Sequence, residues 1–414
     1  MRKVLTAIAA SIACLPAGAA RADDDTERIR RAVDHTLSTQ LPNGLFEYDF
    51  DFLAGESTGE DNIVRQAGTL FALGEYLVDV DDARVVPVMR AGLEALAERS
   101  LPLGRGSIQA ILEWTGIFSI ESGRLERALR WGGLLYDPGG DGRVVSGDDA
   151  YDNALTGATA LALIAELHYQ RATGDDRYRD LRESWLRGLL ALHVSGRGVR
   201  AHPATLFENP YVNGEAWVTL AYYHELFPED ERVARALDDL ESYVMDRYGR
   251  EPDRNFYHWG AIAGAIRFRS GGDEHLSDFA AQQAETMLET APPEKTRKQT
   301  TCSLIEGLAA SIAVLRSSAE RGALVSRMRE RVGIELARNR ALQIRPGQDR
   351  WELGGGALLK APALGGYAGA FVAGPYRIYT RTDITQHCIS ALLKVRRLGA
   401  EELTKSIPPG EDRP

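Results

Sequence analysis

The sequence predicts an all-α protein in which helical hairpins close into a ring. Six segments rich in alanine, leucine and glycine are apolar nearly all round a helix, and such helices must be buried on every side. Six other segments carry charged residues around a narrow apolar stripe whose positions recur every three or four residues. The two kinds alternate along the chain, and a ring with the apolar helices inside and the amphipathic helices outside buries both.

The amphipathic segments are the predicted outer helices. They span residues 26–36, 83–98, 176–190, 229–248, 274–288 and 318–337. In the middle of the chain, successive apolar segments begin about 40 to 60 residues apart, which is a length typical of two helices with their loops. The sequence therefore predicts one helical hairpin per repeat.

Two spacings are too long for one hairpin. Residues 104–147 combine apolar runs with a Pro-Gly-Gly-Asp turn, which predicts a small strand-containing insertion. Residues 340–379 are rich in glycine and proline. We expect both stretches to lie near the rim of the ring, where they would narrow an open bowl into a cleft.

A cluster of polar and aromatic residues precedes each apolar helix. Helix N-termini present unpaired backbone N–H groups and the positive end of the helix dipole, so side chains there either cap the helix or meet a ligand. Capping explains the asparagines and aspartates, but it does not require the tyrosines, the tryptophan or the arginine. In a ring the six clusters gather at one end, and we expect them to form a single site.

The clusters suit a sugar, because aromatic rings cover the apolar face of a pyranose while amide, carboxylate and guanidinium groups bind its hydroxyls. The predicted ligand is a polysaccharide or glycoconjugate. The predicted substrate-binding residues are Asn62, Arg65, Gln66, Tyr151, Tyr211, Asn213, Tyr257, Trp259 and Arg381. No cofactor and no metal are part of this prediction.

Catalysis on a glycosidic bond needs two carboxyl groups, one protonated and one ionised. The carboxyl candidates are Asp152, Glu215, Glu306 and Asp383. Glu306 lies within an apolar helix, where a carboxylate is costly to bury unless it is paired or neutral. His387 follows Asp383 by four residues and so shares its helix face, and His258 could face it across the bowl as a further acid–base group.

The two cysteines of the mature chain, Cys302 and Cys388, lie at the start of the fifth and sixth apolar helices. In an exported protein they could form a disulfide or remain two buried thiols. Thiolate and imidazole also suit zinc, with His387 as a further ligand. Zinc is the least favoured of the three, since the His-Cys order departs from the motif of zinc-holding helical toroids.

Two strings resemble known proteins. Residues 61–73, DNIVRQAGTLFAL, and residues 381–393, RTDITQHCISALL, resemble the first and last inner helices of bacterial domains with R-[HQ]-A-G and R-x-D-x-x-Q-H patterns. Those domains are (α/α)6 toroids of the six-hairpin glycosidase-like superfamily, in which inner and outer helices alternate. The resemblance implies a single (α/α)6 toroid domain over residues 23–414, and it implies no particular reaction.

Charge and the first residues bear on partners and location. The formal charge is −10, so the chain lacks the basic footprint that nucleic-acid binding needs. Residues 1–22 are typical of a secretory signal peptide, with Arg2 and Lys3 before a short apolar run; lipid modification of Cys14 is a less favoured alternative. No later stretch is apolar for long enough to cross a membrane, so we expect a periplasmic or secreted protein.

Taken together, these features favour an exported glycoside hydrolase that acts on a polysaccharide or glycoconjugate in the bowl. A uronate lyase or epimerase is an alternative, with Tyr257 and His258 as acid and base and Arg65 neutralising the substrate carboxylate. A second alternative is a non-catalytic protein that binds glycans or takes part, with assembly partners, in an envelope polysaccharide system.

Overall fold

A computed structural model describes residues 17–103, 142–148, 155–203, 205, 207–271, 274–354 and 356–399. Helices dominate these ranges. In chain order they are α1 (Ala17–Ser38), α2 (Ile63–Val80), α3 (Val85–Glu98), α4 (Thr156–Thr173), α5 (Arg179–Leu192), α6 (Pro210–Leu226), α7 (Glu231–Arg250), α8 (Arg254–Arg269), α9 (Glu274–Thr290), α10 (Pro293–Thr296), α11 (Cys302–Leu315), α12 (Gly322–Ala341) and α13 (Thr382–Leu398).

Six of these helices form a closed inner ring. Each of α2, α4, α6, α8, α11 and α13 packs against the next one in this order, and α13 packs against α2 to complete the ring. Helices α1, α3, α5, α7, α9 and α12 lie outside and pack against the inner helices, with α3 and α9 each contacting two of them. The predicted all-α ring of alternating inner and outer helices is therefore confirmed.

The burial of the two kinds of helix follows their sequence patterns. In the inner helix α4 every residue from Thr156 to Tyr169 is buried, because neighbours surround it. In the outer helix α7 the buried residues recur every three or four positions, as the stripe predicted; they are Val233, Leu237, Leu240, Val244 and Tyr248. An apolar helix buried all round and an amphipathic helix buried on one face are what the ring requires.

The strands are short and belong to the connections. Strands β1 (Asp49–Asp51), β8 (Val372–Gly374) and β9 (Arg377–Arg381) form a three-stranded antiparallel sheet in the order β1-β9-β8. Strand β9 leads directly into α13. Strand β4 (His193–Val194) pairs with β5 (Gly198–Val199), and β6 (Arg350–Glu352) pairs with β7 (Leu358–Lys360). The irregular stretch predicted over residues 340–379 therefore contains strands and turns.

Only the ends of the predicted insertion at residues 104–147 can be compared, since residues 104–141 lie outside the described ranges. Strand β2 (Ser100–Pro102), just before it, pairs antiparallel with β3 (Arg143–Val145) at its end. The two ends of the insertion are thus joined as a two-stranded ribbon.

An ion pair is buried between the first and last inner helices. Lys394 Nζ lies 2.8 and 2.9 Å from the two carboxylate oxygens of Glu75 and 2.6 Å from Ser390 Oγ. Burial alone would raise the pKa of Glu75, but Lys394 and Arg397 outweigh that effect and lower it to about 2. The ion pair therefore bridges the point where α13 closes the ring against α2.

Within the described ranges, no helix combines the length and the apolar character needed to cross a bilayer.

Candidate active site

The N-terminal ends of the inner helices open onto a cavity of about 410 Å³. Its walls come from α2, α4, α6, α8 and α13 and from the residues just before them. The polar and aromatic residues that line it are Asn62, Arg65, Asn209, Tyr211, Glu215, His258, Trp259, Asp383, Gln386 and His387. The gathering of the polar clusters at one end of the ring, which the sequence pattern led us to expect, is therefore seen for these helices.

Several helix ends at the cavity are capped by side chains. Asn62 Oδ1 accepts a hydrogen bond from the backbone N–H of Arg65 at 3.2 Å, and Asn209 Oδ1 accepts one from Tyr211 at 2.9 Å. Asp253 caps α8 in the same way. Asn62 and Asn209 also line the cavity, so capping and exposure to a ligand coincide in the same side chains.

The floor of the site holds a histidine paired with a buried carboxylate. His387 Nδ1 lies 2.8 Å from Glu306 Oε2, and Glu306 is only 1% exposed. Burial alone would lower the pKa of His387, but the negative charge and hydrogen bond of Glu306 outweigh it and raise the pKa above its usual value of 6.5. Glu306 therefore favours the protonated form of His387.

A second histidine stands beside the first. The rings of His258 and His387 meet edge to face, with centroids 5.3 Å apart and planes at 80°. His258 Nε2 is buried and has no hydrogen-bond partner among the described residues. Burial, and to a smaller extent the charge of His387, hold the pKa of His258 well below 6.5. The site thus sets an imidazole with a lowered pKa against one with a raised pKa.

Glu215 supplies a buried carboxyl group to the same cavity. It is 4% exposed, and burial raises its pKa to about 8, with His387 opposing the shift. Gly157 of α4 makes room for it, because a Cβ atom at that position would lie 2.2 Å from Glu215 Oε2. At neutral pH this carboxyl group is therefore largely protonated and can donate a hydrogen bond.

Asp383, in contrast, is held by two arginines. Arg381 Nε and Nη2 lie 2.6 and 2.9 Å from its two oxygens, and Arg65 Nε lies 3.1 Å from Oδ2. Arg65 also contacts the hydroxyl of Tyr48. Because its oxygens are occupied, Asp383 serves here to orient Arg65, whose side chain is one-third exposed at the cavity wall.

Some predicted site residues do not line the cavity, and their polar atoms bond to other residues behind its surface. The Tyr257 hydroxyl is 3.4 Å from Ser311 Oγ. Gln66 bonds to both the backbone N–H and the carbonyl of Phe46, each at 2.9 Å. Asn213 accepts from the Val199 N–H at 2.8 Å and donates to the Tyr248 hydroxyl at 2.9 Å.

Arg381 is also not a cavity-lining residue, and it is linked to the site through its ion pair with Asp383. The predictions for Tyr151 and Asp152 lie outside the described residues.

Two glycines and a disulfide complete the site, and their roles could not be predicted from the sequence. A Cβ atom at Gly68 would lie 2.5 Å from Gln386 Oε1, so the Ala-Gly of one motif makes room for the Gln-His of the other. Gly157 does the same for Glu215. Each glycine contacts a bulky polar side chain from another helix, and such a tertiary contact cannot be predicted from a single sequence.

His258, Glu306 and His387 are also the one group of metal-ligating type within the described ranges, with ligand atoms within 4.8 Å of one another. A zinc ion about 2.1 Å from each ligand atom would hold such atoms no more than about 4.2 Å apart. Cys302 and Cys388 form a disulfide, which removes the thiolates required by the zinc alternative.

A larger cavity, of about 540 Å³, opens at the opposite end of the ring, beside the C-terminal turns of the inner helices. Its basic residues are largely paired with acids: Lys394 with Glu75, Arg397 with Asp79 at 2.8 Å, and Arg171 and Arg269 with Glu225. Cations at helix C-termini also balance the helix dipoles. These interactions account for most of the charge of that cavity.

No protein-family model matches the sequence, and the search of curated proteins finds no match. Solved structures do match over nearly the whole chain. An α-1,6-mannanase of glycoside hydrolase family 76 from Salegentibacter is 13% identical, with a TM-score of 0.57, covering 91% of this chain and 100% of that one.

Two further matches are an epimerase and an isomerase. Cellobiose 2-epimerase from Spirochaeta thermophila is 11% identical, with a TM-score of 0.57, covering 94% of this chain and 99% of that one. A D-mannose isomerase is 10% identical, with a TM-score of 0.57, covering 91% of this chain and 98% of that one. The chain therefore has the same (α/α)6 toroid fold as these structures, as the sequence predicted.

Proposed function

We propose that the protein is a carbohydrate-active enzyme that moves a proton on the carbon beside the carbonyl group of a reducing sugar, as epimerases and isomerases do. The observation that carries this proposal is the pairing of His258 with His387 at the floor of a polar cavity. Two imidazoles contact each other there. One has no carboxylate partner among the described residues and the other is bonded to Glu306, which suits a base and an acid acting on one substrate.

The chemistry starts from the open-chain form of the sugar. Neutral His258 removes the proton from C2 while protonated His387 donates a hydrogen bond or its proton to the carbonyl oxygen, which gives an enediol. A water molecule then protonates the opposite face of C2, O1 returns its proton to His387, and the proton on His258 passes to the hydroxide left behind, which yields the epimer. Alternatively, His258 returns its proton to C1 while the C2 hydroxyl gives its proton to His387 and becomes the new carbonyl, which yields the isomeric ketose. General acid–base catalysis of this kind contributes roughly 10²- to 10⁴-fold to the rate.

The other cavity residues suit the binding of the sugar. Arg65 is fixed by Asp383 and can bind a hydroxyl or a carboxylate of the substrate. Glu215, neutral in its buried position, can donate a hydrogen bond to a hydroxyl without adding a charge. Trp259 packs against His258 with ring centroids 4.8 Å apart and offers an apolar surface for a sugar ring.

The names of the structural neighbours support sugar chemistry without deciding between reactions. The epimerase and the isomerase act, by their names, on cellobiose and mannose. Their identity to this chain is too low to transfer a substrate. What supports the epimerase or isomerase class is the pair of histidines in this chain.

Hydrolysis is the second candidate, and Glu215 is the observation that favours it. A buried carboxyl group with a pKa of about 8 is suited to protonating a leaving group. A variant of the mannanase neighbour with two adjacent aspartates changed to alanine is inactive, and this chain has Asp148 and Asp149 before α4. Asp149 lies outside the described residues. Against hydrolysis, the carboxylate of Asp383 is tied to two arginines.

We also propose that the protein acts outside the cytoplasm, in the periplasm or beyond the cell. The signal-like segment at residues 1–22 supports this location. A buried disulfide supports it too, because disulfides persist mainly in oxidising compartments.

The test is a panel of substrates offered to the purified protein. Aldoses, ketoses, uronic acids and disaccharides are analysed for new isomers by chromatography, and polysaccharides, including α-1,6-mannan, for new reducing ends. A new epimer or ketose supports the proposal. New reducing ends without isomers would establish the hydrolase, and binding without turnover on any substrate would favour the non-catalytic glycan-binding alternative.

A further inference from the structure

The disulfide lies beside the acid–base pair. It joins Cys302, the first residue of α11, to Cys388 of α13, with Cα atoms 4.8 Å apart. Both cysteines are buried, at 3% and 0% exposure. The bond thus links two neighbouring inner helices at the end where the cavity opens.

The two cysteines lie close in sequence to Glu306 and His387. His387 directly precedes Cys388, and Glu306 follows Cys302 by four residues, one helical turn further along α11. The same two helices therefore meet twice within about one turn. They meet once through the disulfide and once through the 2.8 Å contact of Glu306 with His387.

Most other hydrogen bonds at the start of α11 run to the outer helix α12, while the Thr300 hydroxyl also lies 3.7 Å from Cys388 Sγ of α13. Asn339 of the outer helix α12 accepts from the Thr301 N–H at 3.1 Å and from the Thr300 hydroxyl at 2.8 Å. The Thr301 hydroxyl donates to Glu335 Oε2 at 2.9 Å. These bonds tie the start of α11 to the outer ring, and the disulfide supplies the covalent tie to α13.

Glu306 has a single hydrogen-bond partner among the described residues. Its Oε1 atom is buried without one, and its Oε2 atom lies 2.8 Å from His387 Nδ1. A small sliding of α11 against α13 would therefore separate the pair, since no second partner among these residues holds the carboxylate in place.

We propose that Cys302 and Cys388 are positioning residues whose disulfide holds Glu306 against His387, and thereby keeps His387 in the state that catalysis uses. The placement of Glu306 and His387 does not depend on the reaction, whereas the effect on catalysis rests on the proposed function. A disulfide also stabilises a fold by restricting the unfolded chain, so the test has to separate local placement from general stability.

The test compares the wild type with the double variant Cys302→Ser/Cys388→Ser. The first readout is the titration of the His387 imidazole by NMR, assigned by the signal that is missing in His387→Asn. We expect the titration midpoint of His387 to move to lower pH in the double variant, because Glu306 no longer stays in contact. We also expect kcat on the substrate found above to fall by roughly 10- to 100-fold, with KM little changed.

Trp185→Phe is the matched control. Trp185 is fully buried in the outer helix α5 and donates to Ser100 Oγ at 2.9 Å, so this variant lowers stability at a distance from the site. It should lower the melting temperature and leave the His387 midpoint and kcat unchanged. An equal loss of kcat in Trp185→Phe and in the double variant would show that stability alone is responsible.

An unchanged His387 midpoint in the folded double variant overturns the inference, whatever the activity. If the wild type acts on no sugar, the proposed function fails, while the NMR comparison still decides the inference. If the double variant does not fold, the wild type is treated with a phosphine, which is oxidised as the disulfide becomes two thiols. The His387 midpoint is then followed against the thiol count, and a midpoint that stays fixed while thiols appear in folded protein overturns the inference.

Discussion

His258 and His387 come from two different inner helices and meet edge to face, with ring centroids 5.3 Å apart, at the floor of the cavity. His387 is bonded to Glu306, and His258 Nε2 has no partner among the described residues. Burial lowers the pKa of His258, whereas the contact with Glu306 raises the pKa of His387. This difference is the physical basis of the acid and base roles proposed for them.

The first prediction concerns these two histidines. His258→Asn and His387→Asn should each lower kcat by roughly 10²- to 10⁴-fold, since each removes one proton-transfer group. Asparagine keeps the polarity and approximate size of the ring, so the fold should survive. Steady-state kinetics, with circular dichroism to check folding, measures the effect. Full activity in either variant would remove that histidine from the mechanism.

The second prediction is the pH dependence of kcat. Activity requires neutral His258 and protonated His387. The acid limb should therefore lie well below pH 6.5, where His258 becomes protonated. The alkaline limb should lie above pH 6.5, where His387 loses its proton. Between them the rate should be level.

Glu306→Gln tests the cause of the alkaline limb. Without the carboxylate the pKa of His387 falls, so the alkaline limb should move to lower pH while the acid limb changes little. The free energy of unfolding should also depend on pH through His387. The raised pKa of His387 stabilises the fold below its unfolded value of about 6.5, and that contribution is lost as pH rises through the folded value. An alkaline limb unchanged in Glu306→Gln would contradict this assignment.

The third prediction separates the two candidate reactions through Glu215. Glutamine keeps a hydrogen-bond donor at this position and cannot give up a proton. Glu215→Gln should therefore retain most of the epimerase or isomerase activity. It should abolish activity if Glu215 is the acid of a hydrolase. The same kinetic assay on the two substrate classes measures both outcomes.

Glu215 also makes stability depend on pH. Its folded pKa of about 8 lies above its ordinary value of 4.5. Its contribution to the free energy of unfolding is thus fully present below pH 4.5 and is lost as pH rises through 8. Denaturant unfolding should show a shallower decline with pH for Glu215→Gln than for the wild type. Parallel curves would mean that the Glu215 carboxyl is ionised at neutral pH.

The fourth prediction concerns the ion pair that bridges the ring closure. Lys394→Met leaves the carboxylate of Glu75 buried without its cation, and it should cost about 3–5 kcal/mol of unfolding free energy. The exposed pair of Arg235 and Glu231 is the control, and Arg235→Ala should cost less than about 1 kcal/mol. Equal losses in the two variants would show that the buried pair has no special role in closing the ring.

The ring could be predicted from sequence because its signals are local. The unbroken apolar run of α4 and the three- and four-residue spacing in α7 each report burial directly. The polar clusters likewise placed Arg65, Glu215, His258 and His387 at helix starts. Their mutual arrangement could not be predicted, because it depends on helix rotation and on contacts between distant segments.

Glu306 and Tyr257 show this limit from both sides. The sequence indicated that Glu306 is either paired or neutral, and the structure pairs it with His387, which lies on the next inner helix. Tyr257 precedes His258 in the chain, yet one side chain points into the wall and the other into the cavity. Adjacent helical residues differ by about 100° in direction, so a cluster in sequence divides between a site and its supporting wall.

The most direct test of the proposed proton transfer is solvent hydrogen exchange. The protein is incubated in D₂O with the reducing sugar on which it acts, and the sugar is analysed by proton NMR and mass spectrometry. We expect deuterium at the carbon beside the carbonyl group with the wild type, and none with His258→Asn. Conversion or cleavage of the sugar with that carbon still carrying its original hydrogen would contradict the central claim.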